Sequence, residues 1–430
     1  MSSKKKLMRL KKLLTMNSTE RKKYDVVIAG GGMIGIAMAL SLSSFDLKIA
    51  VVEKIKRTNK EQPSFDDRST ALSRSSQNMF EAMGIWEKIK EASTPINKIH
   101  VSEKGQFGFS HICSKEQQVE ALGYVVINRV LGEVMLSELE NKENIKIFCP
   151  YEIDSFSERQ TDCNISLKPN DKKKSKIELT SQLLIAASGA DSGLHKLLGI
   201  NSNVVNYHQD AIIGNVMTAI PIENRAFERF YSEGSIAFLP LANNRSAFIW
   251  ILPNHKSEIM MNASNNEFLE MLQKEFGLRL GKMSDLGNRV KYSLNLTRAL
   301  RLHTKRSVLV GNAANGLHPI AAQGFNLGLR DVATLSDCIY EEIINEEFET
   351  NIGKILNKYS DWRNPDHEKL TYFTDGLVRL FDSKSHSMSI LRRAGMVGFD
   401  LIPGFRKLFV RHTMGLAGKL PRLSRGIPYK

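Results

Sequence analysis

The run YDVVIAGGGMIGIAMALSLSSFDLKIAVVEK, Tyr24 to Lys54, restricts the fold more than any other stretch of this 430-residue chain. YDVVIA and LKIAVVE are short, apolar and rich in β-branched residues, the pattern of strands buried on both faces. Between them, the small and apolar residues from Met33 to Leu42 read as a helix. Two buried strands joined by one helix make a parallel βαβ unit. The join, Gly30-Gly31-Gly32-Met33-Ile34-Gly35, has the spacing G-x-G-x-x-G. Gly30 allows the tight turn out of the strand, Gly32 lets a pyrophosphate touch backbone, and Gly35 lets helix and strand approach. The helix N-terminus then presents unpaired N–H groups to the phosphates. Glu53 closes the second strand 18 residues after Gly35, where a carboxylate accepts hydrogen bonds from a ribose diol. The pattern calls for a dinucleotide.

The rest of the chain narrows which dinucleotide. A nicotinamide dehydrogenase continues with repeated βα units, whereas this chain passes to a loop, FDDRSTALSRSSQNMFEAMGIW, and then to a β-meander. A disulfide reductase shows a redox dithiol and a second G-x-G-x-x-G. Here Cys113, Cys149, Cys163 and Cys338 are scattered without C-x-x-C spacing, which also argues against a zinc or iron–sulfur site and suits a reducing compartment. FAD held by a non-contiguous domain fits best.

A chain of this length exceeds a single growing core, so about two domains are expected. Residues 1–23 form a basic extension and 24–200 the first part of an FAD-binding domain, including the meander IKIFCPYEIDSFS, CNISLKP and KIELTSQLLIAAS. The strand-like runs KIHVSEKGQFGFSH and ALGYVVINR fall in that first part. Residues 201–298 form a substrate domain, with strands AIIGNVMTAI, SIAFLPLA and RSAFIWILP and a helix, NNEFLEMLQKEF. Residues 299–345 return to the FAD-binding domain, and 346–430 make a helical, basic C-terminal region. The fold class is α/β: a Rossmann-like domain with an inserted antiparallel sheet.

A second glycine-rich turn, GNAANGLHPIAAQGFNLGLRD, follows the apolar strand SVLV at residues 311–331. Asn312 can donate to and accept from a ribityl hydroxyl. Pro319 holds His318 extended. Gly324 lets backbone approach a flat ring, and the helix starting around Asn326 aims its positive end at that ring. The stretch VLVGNAA with HPIAAQGFNLGLRD resembles the signature of the ubiquinone-biosynthesis hydroxylases, a branch of the aromatic-ring flavoprotein monooxygenases. FDDRSTAL, HVSEKGQFGF, RAFERF (Arg225 to Phe230) and FGLRLGK (Phe276 to Lys282) extend the likeness along nearly the whole chain from Tyr24.

The resemblance implies FAD contacts at Gly311, Asn312, Pro319, Gln323, Gly324, Phe325 and Asn326, and at Arg68 and Arg129. His318 is a candidate catalytic base. It implies a monooxygenase that takes electrons from NAD(P)H, activates O₂ as a flavin C4a-hydroperoxide, and hydroxylates a polyprenylated phenol of the 2-octaprenyl-6-methoxyphenol kind. Apolar side chains of SIAFLPLA and AFIWILP would wall the substrate. Two positions depart from the family's pattern. Ser188 stands where an Asp is usual, and Ala322 replaces a glycine. They motivate the other reading, a non-catalytic member acting as a scaffold among partners in a quinone-biosynthesis complex.

The formal charge of +14 suits an anionic partner. Met1 to Lys23 carries nine Lys/Arg and one acid, and so does Leu391 to Lys430, where they are interleaved with Phe, Leu and Met. No aromatic–basic motif on a sheet favours nucleic acid. Without a spanning apolar stretch or a signal peptide, the expected location is cytoplasmic, peripheral at the inner face of an anionic membrane.

Overall fold

The computed structural model describes residues 22–56, 68–105, 109–171, 174–189, 193–316, 323–382 and 410–429. The βαβ unit is present as strand Lys22–Ala29, helix Met33–Leu42 and strand Ile49–Val52. Eight of that helix's ten residues are buried, which explains why it is apolar all round rather than on one stripe. It forms the centre of the main core.

The first sheet has seven strands. Ile145–Phe148, Ile49–Val52, Lys22–Ala29 and Ile177–Ala186 lie side by side and parallel, and Ser307–Leu309 joins the last of them, also in parallel. Tyr151–Glu158, Cys163–Pro169 and Ile177–Ala186 form the expected antiparallel meander that rejoins the first strand, but IKIF, read as its start, is instead the parallel edge strand Ile145–Phe148. A distant segment therefore completes the sheet: Val310 N–H donates to Ala186 O at 3.0 Å.

The second sheet has nine strands, in the order Asn315–Gly316, Val290–Ala299, Ser202–Thr218, Arg245–Pro253, Gly234–Pro240, Arg225–Tyr231, Lys98–Glu103 and Phe109–Cys113, with Met283–Ser284 beside Ser202–Thr218. All these pairings are antiparallel except that of Arg225–Tyr231 with Lys98–Glu103. The run Lys98 to Cys113 thus extends the second sheet, although it lies far upstream of the other strands. Helix Asn265–Phe276 covers one face, started by a capping box between Ser264 and Glu267. Phe268, Leu272 and Phe276 pack on Ile236, Phe238, Phe248 and Trp250.

A small third sheet, Ser69–Ser73, Gly123–Ile127 and Ser93–Ile96, sits between the two regions. Asn128 and Arg129, read from the sequence as the end of a strand, instead begin helix Asn128–Glu140. Two long helices, Gln323–Ile344 and Ile352–Asp382, pack against the first region. Among the described residues no helix is long and apolar enough to cross a membrane.

Candidate active site

The first glycine turn has the geometry its spacing predicts. Gly30 sits at φ +109°, and a Cβ there would lie 2.8 Å from the backbone of Ala187 and Ser188. A Cβ on Gly35 would lie 1.8 Å from Gly30 O. Only glycine permits either approach. Gly32 caps the helix without a side-chain hydrogen bond to the first turn. Glu53 accepts from Gly31 N–H at 2.6 Å and from Ile55 N–H at 2.7 Å, so its carboxylate is fixed at the edge of the turn.

The second turn meets the first. Gly311, at φ +63°, begins a short 3₁₀ turn, and Ile34 of the first glycine run fills the space beside it. A Cβ on Gly311 would be 3.1 Å from Ile34 Cγ2, and one on Gly328 would be 2.7 Å from Ile34 Cδ1 and 3.2 Å from Gly311 Cα. Nearly three hundred residues apart in sequence, the two clusters are in contact. Asn312 is exposed beside them, its Oδ1 3.9 Å from where a Gly324 Cβ would stand.

Asp331, the last residue of that run, holds this junction, a role the sequence reading missed. It is fully buried. Its Oδ2 accepts from Gly311 N–H at 2.9 Å, and its Oδ1 accepts from Arg363 Nε and His367 Nε2, both at 2.7 Å. Burial alone would raise the carboxyl; the adjacent His367 and Arg363 outweigh it and hold the group below its ordinary value. An acid placed seven residues after Gly324 in a helical run shares a face with it, the one signal that pointed inward.

Asn326 is a joint rather than an open ligand. Its Oδ1 accepts from Ser73 N–H at 2.8 Å and Ser76 Oγ at 2.7 Å, and its Nδ2 donates to Ala71 O at 2.9 Å. It ties helix Gln323–Ile344 to the small third sheet. Phe325 is half-buried against the main core. Of Gln323 the structure describes the backbone, which opens the helix. His318, Pro319 and Ala322 lie outside the described residues. Arg68 crosses to the second sheet, its guanidinium 4.6 Å from the centre of the Tyr292 ring. Arg129 is exposed, 3.4 Å from Glu133 one helical turn on.

The walls divide by strand alternation. Ile236, Phe238, Phe248 and Trp250 point into the second region's own core, so only half of the apolar residues in SIAFLPLA and AFIWILP face the first region. Those are Ala237, Leu239, Ala247, Ile249 and Ile251.

The residues present fit FAD. The turn at Gly30 packs directly on the backbone of Ala187 and Ser188, an approach no larger residue permits, and so sets the first glycine turn beside Ser188. Beside it the Ser188 Oγ is buried with no hydrogen-bond partner among the described residues, a hydroxyl free to donate to a phosphate or ribityl oxygen. Serine therefore supplies a polar group where the family's Asp would stand.

This architecture defines a flavoprotein monooxygenase. The FAD binding domain family matches residues 23–374, and the chain belongs to it. The chain is similar to an uncharacterized protein of Synechocystis, 31% identical over 94% of this chain and 96% of that one. It is similar to the ubiquinone hydroxylase UbiL of Rhodospirillum rubrum, 29% identical over 94% and 93% of the two chains. The 3-demethoxyubiquinol 3-hydroxylase of Escherichia coli is 24% identical over 91% of this chain and 98% of its own. The structure of p-nitrophenol 4-monooxygenase PnpA from Pseudomonas putida superposes with a TM-score of 0.76 at 14% identity, over 93% and 99% of the chains, which shows the shared fold. The chain is an FAD-dependent aromatic monooxygenase of the ubiquinone-biosynthesis hydroxylase group.

Proposed function

We propose that this enzyme hydroxylates a polyprenylated phenol of the 2-octaprenyl-6-methoxyphenol kind, taking electrons from NAD(P)H, at an anionic membrane surface. The observation that supports the reading is the contact of the two glycine turns through the Ile34 side chain, which brings both motifs to one place. When bound, FAD supplies the activation of O₂; the protein supplies position and a dry site. Gly30, Gly32 and Gly35 would hold the pyrophosphate and Glu53 the adenosine ribose. Gly311, Asn312, Gln323, Gly324 and Phe325 would face the ribityl chain and ring, with Asp331 fixing the Gly311 turn and Asn326 fixing the helix. Arg68 would stand between cradle and sheet. His318 and Pro319 are proposed on the motif alone.

The basic ends support a membrane location, since each Lys or Arg near an anionic leaflet contributes about 1 kcal/mol. Flotation with anionic vesicles should exceed that with neutral ones; equal flotation refutes the surface assignment. For the reaction, the purified yellow protein is given the prenylated phenol, NAD(P)H and O₂, and products are read by mass spectrometry. A product heavier by one oxygen, matching the precursor that accumulates in a deletion strain, supports the reading. Flavin reduction with the phenol recovered intact overturns it.

A further inference from the structure

The face of the second sheet that looks toward the first region is unevenly covered. Strand register sets Val290, Ile213, Ile249, Ala237, Glu228 and Val101 side by side in a single row. On one side of that row Ala226, Leu239 and Ala247 are buried under Ala71, Ile96 and Val125 of the small sheet. On the other, Ala211, Ile251, Ser235 and Phe230 are buried as well. Every residue of the row between keeps some exposure. The result is a partly open apolar groove-like row across the sheet, in which Glu228 is the one charged side chain.

The groove is tied to the proposed flavin cradle by two joints. Asn326, from the cradle helix, bonds to Ala71 and Ser73 of the small sheet, whose Ala71 packs beside the groove. Arg68, one residue before that strand, reaches the Tyr292 ring on the same face, since Tyr292 pairs with Ala211. We propose that Glu228 is the catalytic base that takes the proton from the phenol of a substrate lying in this groove. The proposal rests on the reading of the chain as a phenol hydroxylase and places the base on the second sheet rather than at His318, the candidate from the motif.

The step is a proton transfer. The phenol O–H bond breaks as an O–H bond forms on the carboxylate, and the electron pair stays on the phenol oxygen. Ring carbons ortho and para to that oxygen gain electron density and are more open to an electrophilic oxygen. When the new C–O bond has formed, the phenol oxygen is a dienone carbonyl. The hydroxylated ring carbon then loses its hydrogen as a proton to water, the C–H pair restores the aromatic ring, and the proton held on the carboxylate returns to the phenol oxygen.

Burial raises the Glu228 carboxyl to about 7, against a smaller lowering by the hydrogen bond with Ser235. A base with that value is partly ionised at neutral pH and matched to accept a proton there. The charged groups on neighbouring elements are few. Strand Lys98–Glu103 brings Glu103, opposite Phe230 on the same face; strand Gly234–Pro240 brings Ser235 and no charge. Arg245 is hydrogen-bonded to Asn215, and Arg68 lies over Tyr292. The small sheet contributes Tyr124, whose ring packs on Trp86. None of the ion pairs among the described residues involves Glu228.

The test compares wild type, Glu228→Gln and Glu228→Asp as full-length flavoproteins. Wild-type kcat for the prenylated phenol should rise with pH through about 7. Glu228→Gln should be about a hundredfold slower above pH 8 and lose that rise, with KM nearly unchanged, whereas Glu228→Asp keeps the rise at a reduced rate. Infrared difference spectra of the cofactor-free chain should show a protonated-carboxyl band that titrates near 7 and vanishes in Glu228→Gln. If the wild type hydroxylates the phenol and Glu228→Gln keeps the same pH profile within about threefold of its rate, the assignment of Glu228 is overturned while the enzyme reading stands. Loss of hydroxylation in the wild type itself would instead overturn the reading.

Discussion

Replacing Asp331 with Asn keeps the shape of the side chain and removes its charge, in a place where shape alone does not suffice. One carboxylate oxygen accepts Gly311 N–H; the other accepts Arg363 Nε and His367 Nε2. An amide turned either way points its NH₂ at a donor. Turned toward Gly311, it breaks the bond that fixes the turn; turned the other way, it leaves the Arg363 guanidinium beside a donor in the interior. Arg363 would keep Asp366, 2.5 Å from its Nη1, as its remaining acidic partner. Removing one partner of a buried ion pair costs about 3–5 kcal/mol, a large part of the roughly 5–15 kcal/mol that holds an ordinary domain folded. Urea denaturation of the two proteins, followed by tryptophan fluorescence, measures the difference. Because the folded Asp331 value lies below the unfolded one, its contribution is present above about pH 4 and lost only as pH falls through the folded value. The loss in Asp331→Asn should therefore be nearly constant between pH 5 and about 8. A difference under about 1 kcal/mol at pH 7 would refute the claim that this carboxylate anchors the Gly311 turn.

Two further outcomes follow from the same geometry. Asn326→Ala leaves Ser73 N–H, Ser76 Oγ and Ala71 O without their partner, so it should cost about 2–4 kcal/mol in the same denaturation assay. Glu228 has the opposite pH signature from Asp331. Its folded value is raised to about 7, so the folded state binds more protons than the unfolded chain between about pH 4.3 and 7. Wild-type stability should fall as pH rises through that window, and Glu228→Gln should gain about 1–3 kcal/mol relative to wild type at pH 8 but little at pH 4. Parallel melting curves at both pH values would contradict the raised value.

The βαβ unit was readable because three independent signals agreed: strand length, a uniformly apolar helix and glycines at fixed spacing. Helices Met33–Leu42 and Asn265–Phe276 fall where the sequence placed them. The membership of Lys98–Glu103 in the second sheet was not readable, because a parallel pairing with Arg225–Tyr231, far along the chain, leaves no mark in local pattern. Asn128 and Arg129 continue a strand-like run, yet the Asn128 N–H donates back to Arg68 O and the chain turns into a helix there. The wall strands were named correctly, but which alternate residues face the first region depends on where helix Asn265–Phe276 docks. Glu228 lay in plain view within RAFERF; only the register of six strands shows that it shares a partly open row with Ile213 and Ile249.

The claim on which the account stands is that two distant glycine turns hold a single FAD between them. Titrating the cofactor-free chain with FAD, followed by quenching of flavin fluorescence, tests it in wild type, Gly30→Ala and Gly311→Ala. A Cβ at Gly30 meets the backbone of Ala187 and Ser188, and one at Gly311 meets Ile34. One FAD should bind per wild-type chain, with affinity reduced about tenfold or more by either substitution. Wild-type affinity in a folded Gly311→Ala protein, with binding lost only in Gly30→Ala, would contradict it.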